Sequence, residues 1–330
     1  MIEKKVVIVA TGGTIAMKYD PEKQGLVPAC TGEDLAAAVT GLCDVAPLEF
    51  IQFSNIASCG MTPKNMWDLH VKIEEVLARD DVAGVVVTHG TDTVEETSYF
   101  LDLLKKSPKP VVCTAAMRGA GDVSPDGPMN ILCSVRTAAS KAAVGMGVLV
   151  CLNETLHAPA EVTKTHAANP ATFQSPWWGP VGYVDPDKVI IRRKPLVVQR
   201  FSPKALTARV DLIKCMTGSE RDYIDFAVAQ GCKGLVIEGF GRGNVPPAVV
   251  PGIRDAVEKG VAVVIASRTS AGRVLDVYGY PGSVTDTRRA GAVMGGEISA
   301  AKARLKLMIA LSENPRIASD PQGLEALFDV

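Results

Sequence analysis

Short runs of consecutive apolar, mostly β-branched residues recur through the first half of the chain: VVIVA at 6–10, GVVVT at 84–88, PVVCTA at 110–115 and GVLVCL at 147–152. None alternates with polar positions, so each reads as a strand buried on both faces of a sheet. Between them the spacing becomes helical. Residues 62–79 place Met66, Leu69, Ile73, Val76 and Leu77 on one stripe, and residues 94–105 and 128–143 behave alike. Alternation of strand and helix implies a parallel sheet with right-handed crossovers.

The rhythm breaks at residues 153–182, which are rich in Thr, Ala, Asn and Pro and contain Trp177-Trp178-Gly179-Pro180. This stretch reads as a long ordered loop, and loops of that length usually carry function. Prolines and charges then mark residues 185–207 as an interdomain connection. The rhythm resumes with strands at 209–215, 234–240 and 261–267 and helices near 218–230, 246–259 and 299–311. The predicted fold is α/β: a larger N-terminal domain (1–190) with a mainly parallel sheet flanked by helices, a linker (191–207), and a smaller C-terminal α/β domain (208–330). No internal repeat or low-complexity tract interrupts this plan.

Composition narrows the class. With 47% apolar, 22% charged and only 5% aromatic residues, the chain suits a globular enzyme with closely packed helices on a Val- and Ala-rich sheet. The net charge is −1, and the only dense basic cluster is Arg192-Arg193-Lys194, so nucleic acid is not an expected partner. No apolar stretch approaches the ~20 residues that span a bilayer, and residues 1–13 read as a first strand, not a signal peptide. Eight cysteines lack C-x-x-C spacing and several sit in apolar runs, as small buried hydrophobes do. A reducing cytoplasm is the expected compartment. The four histidines, 70, 89, 157 and 166, show no metal-ligand spacing.

Ligands bind at the carboxyl ends of strands in open parallel sheets. The run at 6–10 leads into Thr11-Gly12-Gly13-Thr14-Ile15-Ala16, that at 84–88 into His89-Gly90-Thr91-Asp92-Thr93, and that at 110–115 into Ala115-Ala116-Met117-Arg118. Hydroxyls, glycine backbone and one carboxylate therefore collect at neighbouring strand ends. The paired glycines lack G-x-G-x-x-G spacing and no Gly-Lys-Ser/Thr follows, which disfavours a nucleotide site. Asp92 and Thr93, with Glu95 and Glu96 three residues later, also read as the N-cap and capping box of the next helix. Taken alone, Lys164 is a loop lysine and Ser58 a loop serine.

Together, TGGTIA at 11–16, HGTDTVEET at 89–97, AAMR at 115–118, DGPMN at 126–130 and VTKT at 162–165 resemble the bacterial asparaginase and glutaminase-asparaginase family. The resemblance runs from residue 6 to the C-terminal helix. It implies an amidohydrolase that converts asparagine to aspartate and ammonia through a threonine nucleophile and an acyl-enzyme, without metal or cofactor. Thr14 matches the family's primary nucleophile, and Thr91 the second threonine, linked to Lys164 and Asp92. Asp92 also matches the residue that binds the substrate's α-ammonium, and Ser58 the one that holds its α-carboxylate. Cys59, Gly90, Ala116 and Asn244 complete the implied substrate contacts. The resemblance further implies a homotetramer, a dimer of dimers, in which a neighbour's C-terminal domain completes each site. A neutral threonine needs a base, and a lysine serves only when its amine is partly neutral; Asp92 pulls the other way, so proton sharing across Thr91, Lys164 and Asp92 is expected.

Three positions depart from the family pattern. Cys59 stands where many members carry glutamine. Tyr19 comes too early for the lid tyrosine and Gly25 falls near its position, so either Tyr19 arrives by another loop path or the first triad is incomplete. The segment 275–282 lacks the glutamate that reaches the neighbouring subunit's site in several relatives, leaving Tyr278 or Tyr280 as substitutes, supported by Asn244. Three other functions compete: a broad glutaminase-asparaginase, an ammonia-supplying subunit of a tRNA amidotransferase, and a catalytically impaired amino-acid-binding protein. The start of the chain five residues before its first strand speaks against the amidotransferase subunit, which usually has an extra N-terminal domain. Retention of Thr14, Thr91, Asp92 and Lys164 together speaks against the impaired protein.

Overall fold

The computed structural model of the chain describes residues 4–13, 17–20, 25–28, 39, 41–195 and 199–329, with side chains except at 17–20 and 25–28. Two compact units divide at Arg200/Phe201. In the first, an eight-stranded sheet dominates. Its strands are β1 (Lys5–Gly12), β4 (Leu48–Ile56), β5 (Val82–Thr88), β6 (Val111–Thr114), β7 (Val148–Leu152), β8 (Thr155–His157), β11 (Gly182–Val184) and β12 (Val189–Ile191). Two small hairpins stand apart from it: β2 (Met17–Asp20) with β3 (Gly25–Pro28), and β9 (Thr163–Lys164) with β10 (Phe173–Gln174).

The sheet order is β12-β11-β8-β7-β6-β5-β1-β4. Strands β4, β1, β5, β6 and β7 run parallel, and β8, β11 and β12 extend that edge antiparallel. The chain leaves β1 to one side to form β4 and returns to the other side for β5. The topological switch point therefore lies at the carboxyl ends of β1 and β5, where open α/β sheets bind ligands.

Continuous apolar runs form these strands because both faces are covered. Val6, Ile8, Val86 and Val112 pack with Ile131, Val135 and Ala138 of helix α4 (Gly127–Ala139), which follows the short α1 (Leu42–Val45) along the chain. On the opposite face Val7, Val9, Val85 and Val87 pack with Leu69, Ile73, Val76 and Leu77 of α2 (Pro63–Leu77) and Leu101 of α3 (Val94–Leu104). The stripe expected at 62–79 is the buried one, and Thr62 starts α2 with a reciprocal capping box to Asn65. Each such side chain contributes roughly 1.5–3 kcal/mol on full burial.

Two features differ from the sequence expectation. Strand β4 mixes polar and apolar residues without a continuous apolar run and is only half-buried at the sheet edge, so the sequence does not announce it. The stretch 153–182, expected as irregular loop, contains β8, β9 and β10 and reaches the start of β11; strand pairing satisfies backbone groups that the composition left unassigned.

The second unit has a parallel sheet in the order β13 (Val210–Lys214), β14 (Gly234–Gly239), β15 (Ala262–Ser267), β16 (Val293–Met294). Helices α5 (Asp222–Ala229) and α6 (Val250–Glu258) cover one face, with α7 (Val284–Arg289) beside them. Helices α8 (Ala300–Glu313) and α9 (Pro321–Phe328) cover the other. Gly234 permits the close approach of α8: a Cβ there would stand 2.8 Å from the Leu307 side chain.

Candidate active site

Three strand ends are tied before any functional side chain is placed. The Thr11 hydroxyl donates to the Thr88 carbonyl at 2.9 Å, joining β1 to β5. The Ser54 hydroxyl donates to the Thr11 carbonyl at 2.9 Å, joining β4 to β1. Gly13, with φ 84°, packs backbone to backbone on the next turn: a Cβ there would lie 2.3 Å from Gly90 N. Thr14 itself lies outside the described residues. In the hairpin that follows, Tyr19 pairs with Leu26, and Gly25 with Asp20.

The turn after β5 brings Gly90, Thr91 and Asp92 to this point. Thr91 is buried and Asp92 exposed. Lys164 arrives from β9, 73 residues later in the chain than Thr91, and donates from Nζ to Thr91 Oγ1 at 2.9 Å and to Asp92 Oδ1 at 2.8 Å. Its side chain is only 18% exposed, against 63% for Asp92, so the ammonium sits below the surface with the carboxylate at the rim. The hairpin is anchored from below: Val162 and Phe173, which flank and face Lys164, are buried in the sheet core. Lys164 is therefore a partly buried group held by hydrogen bonds, contrary to what its loop composition suggests.

Ser58 joins from the 3-10 turn after β4. Its hydroxyl accepts from Asp92 N at 3.3 Å, and its carbonyl accepts from the Thr93 hydroxyl at 2.8 Å. Thr93 is the N-cap of α3, yet its side chain makes no capping bond, so the capping box expected from Thr93 and Glu96 does not form; the hydroxyl holds Ser58 instead. Gly90 lies against the same serine, leaving no room for a side chain. Cys59 is exposed, not a buried packing residue.

Two buried groups orient the backbone here. His89 Nδ1 lies 2.9 Å from the Gly90 carbonyl oxygen. Burial holds its pKa down at about 4, so the ring is neutral and its Nδ1–H donates. Since C=O and N–H of a trans peptide point in opposite directions, the Thr91 N–H is turned away from the His89 ring. Beyond β6, the Asp126 carboxylate accepts from Met117 N at 3.1 Å and Arg118 N at 2.8 Å. This turns the Ala116 carbonyl away from Asp126 by the same geometry. Asn130, 1% exposed, donates to the Ala115 carbonyl at 2.9 Å and accepts from Asn153 N at 2.9 Å. The roles of Thr93, Asp126 and Asn130 escape sequence reading; the only signals were the motifs that contain them, HGTDTVEET for Thr93 and DGPMN for Asp126 and Asn130.

Ser58, Gly90, Thr91, Asp92 and Lys164 thus stand together, with Cys59 next to Ser58. Ala116 is fully buried at the end of neighbouring β6. Asn244 belongs to the second unit, where it bridges Phe240 and its buried side-chain oxygen has no partner among the described residues. Tyr278 and Tyr280, also in that unit, are exposed and stack at 5.4 Å. Among the described residues no group of three His, Cys, Asp or Glu side chains forms a metal-binding cluster, and no helix is long and apolar enough to cross a membrane.

Residues 5–197 match the family model "Asparaginase, N-terminal", and residues 209–328 match "Glutaminase/Asparaginase C-terminal domain". The chain is 34% identical over 327 residues to L-asparaginase of Bacillus licheniformis, covering 99% of each protein. It is 36% identical to L-asparaginase 2 of Escherichia coli, covering 98% of this chain and 92% of that protein. A crystal structure of a probable cytoplasmic L-asparaginase from Campylobacter jejuni superimposes with a TM-score of 0.88 at 32% identity, covering 98% of this chain and 99% of that one. With both family models matched and relatives aligned end to end, the chain belongs to the asparaginase family.

Proposed function

We propose that this protein is a cytoplasmic L-asparaginase that hydrolyses the side-chain amide of asparagine through a threonine-bound acyl intermediate. The observation that carries the reading is the lysine ammonium held 2.9 Å from one threonine hydroxyl and 2.8 Å from one carboxylate at the switch point of the sheet. A strand-end hydroxyl with a partly buried amine beside it is the pairing that nucleophilic catalysis requires.

In the first step a threonine hydroxyl, with Thr14 as the primary nucleophile, attacks the amide carbon. The C–N bond breaks, the hydroxyl proton passes to the departing nitrogen, and ammonia leaves. Thr91 and Lys164 relay protons. Backbone N–H groups, that of Thr91 among them, stabilise the oxyanion; the peptide orientation set by His89 favours this. Water then cleaves the ester, releasing aspartate and restoring the threonine. Asp92 binds the α-ammonium and Ser58 the α-carboxylate, flanked by Cys59, Gly90 and Ala116. No step needs a metal or cofactor.

The active form is a homotetramer, a dimer of dimers, in which Asn244 and Tyr278 or Tyr280 of a neighbouring copy complete each site, and residues 191–207 link the two domains. Trp177 and Trp178, exposed and packed edge to face, suit an interface because aromatic residues are enriched there. A fully active monomer in sedimentation would contradict this assembly.

The deciding experiment is a coupled ammonia-release assay with asparagine, glutamine and their D-forms on the wild type and on Lys164→Met. Loss of a general acid–base group costs about 10²–10⁴ in rate. The ion pair is half exposed and worth at most about 1 kcal/mol to the fold, so melting should barely move. Near-normal kinetics in Lys164→Met would remove the lysine from the mechanism. Preference for glutamine would replace the asparaginase reading with a glutaminase one.

A further inference from the structure

Lys164 is held at both ends by the same stretch of chain. Its ammonium contacts Thr91 and Asp92, and its backbone N–H donates to Glu95 Oε2 at 2.9 Å. Glu95 stands in the first turn of α3, one turn beyond Asp92. An acid there ordinarily serves the helix N-terminus, but this carboxylate reaches across to another element, 69 residues away in sequence.

Resting on the proposed role of Lys164, we propose that Glu95 is a positioning residue for the catalytic lysine. Val162 and Phe173 fix how deeply the hairpin sits. Strands β9 and β10 pair Phe173 with Lys164 and Gln174 with Thr163, and Thr165 N donates to the Thr172 carbonyl at 2.9 Å; these bonds hold the hairpin to itself. Glu95 ties it to α3 at the lysine's own main chain. The tolerance is small: N–H···O hydrogen bonds occupy a window of about 2.7–3.2 Å. A shift of about 1 Å in the Lys164 backbone breaks at least one ammonium contact, and displacement of that size costs about 10²-fold in rate. Because Glu95 acts on where the amine sits, its loss should lower kcat and leave substrate affinity, set by Ser58 and Asp92, nearly intact.

Three substitutions separate reach from charge. Glu95→Gln keeps an acceptor oxygen at the same reach. Glu95→Asp keeps the charge but is shorter by one carbon–carbon bond, about 1.5 Å, and Glu95→Ala removes both. Kinetics with asparagine should show kcat down about 10–100-fold for Ala and Asp. KM should stay within about threefold, and Gln should recover to within about threefold of wild-type kcat. Lys164→Met is measured alongside. If Lys164→Met is inactive while Glu95→Ala and Glu95→Asp keep kcat within twofold, the positioning role is overturned. Equal impairment of Gln and Ala also overturns it, since charge and not the hydrogen bond would then matter. An active Lys164→Met identifies the failure as that of the lysine's catalytic role. Should Glu95→Ala fail to fold, the contrast between Asp and Gln still decides.

Discussion

Replacing Gly90 by alanine probes the site through packing alone. Its backbone conformation is open to any L-residue, so the change adds only a methyl group. That methyl would stand 2.5 Å from Ser58 Oγ, 2.7 Å from Ser58 Cβ and 3.2 Å from Gly13 Cα. Rotating the serine does not relieve the clash, because its Cβ is also in the way; the turn at 58–60 must move. Overpacking of this kind costs about 1–3 kcal/mol, which in a domain of this size lowers Tm by roughly 2–12 °C. The displaced serine also loses its bond to Asp92 N and its proposed grip on the α-carboxylate. A hydrogen bond to a charged group is worth about 1.5–3 kcal/mol, so KM for asparagine should rise about 10–150-fold. Calorimetry and ammonia-release kinetics read the two effects separately. Ser58→Gly introduced beside Gly90→Ala removes both nearest atoms, so the double variant should regain most of the lost Tm while KM stays high. An unchanged KM in Gly90→Ala would refute the substrate role of Ser58, and an unchanged Tm would refute the close packing.

Thr14→Ala and Thr91→Val should each abolish turnover in a folded protein, by several orders of magnitude; either variant that keeps more than about a tenth of wild-type activity loses its place in the mechanism. Cys59 is exposed beside Ser58, and a thiol is a weaker acceptor than an amide oxygen. Cys59→Gln should therefore lower KM and raise glutaminase relative to asparaginase activity without lowering Tm; an unchanged Asn/Gln ratio would show that the position does not touch substrate. Acidification should destabilise the N-terminal unit, because burial pushes His70, His89 and His157 down from 6.5 to about 4. Unfolded rings take up protons below about pH 6.5 while the folded ones stay neutral until about pH 4, so stability falls through that window by up to about 3 kcal/mol per ring. A Tm that stays level between these two pH values would contradict the buried neutral state.

The strongest features of this protein are written locally in its sequence. Strands β1, β5, β6 and β7 are legible because a strand covered on both faces must be apolar at every position. The stripe on α2 is legible because only one face of that helix meets the sheet. The motifs at Thr11–Ala16 and His89–Thr97 mark the strand ends where the chemistry belongs, since they combine hydroxyls with the bare backbone that close packing of Gly13 on Gly90 demands. Strand β4 was not legible, because an edge strand that is half-buried carries no continuous apolar run. Nor was the state of Lys164 legible in its own segment, although the family resemblance linked it to Thr91 and Asp92. A lysine in a Thr- and Ala-rich stretch has the composition of a solvated loop, and only β9 and β10, anchored by Val162 and Phe173, turn it inward to Thr91. Thr93 and Glu95 read as helix-capping residues because local sequence offers them no other partner; the tertiary structure gives one to Ser58 and the other to Lys164. Periodicity reports whether a side chain faces solvent or core, a property of each segment. Which hydroxyl meets which amine depends on contacts between segments tens of residues apart; no single segment carries that information, and the folded sheet brings Lys164 to Thr91.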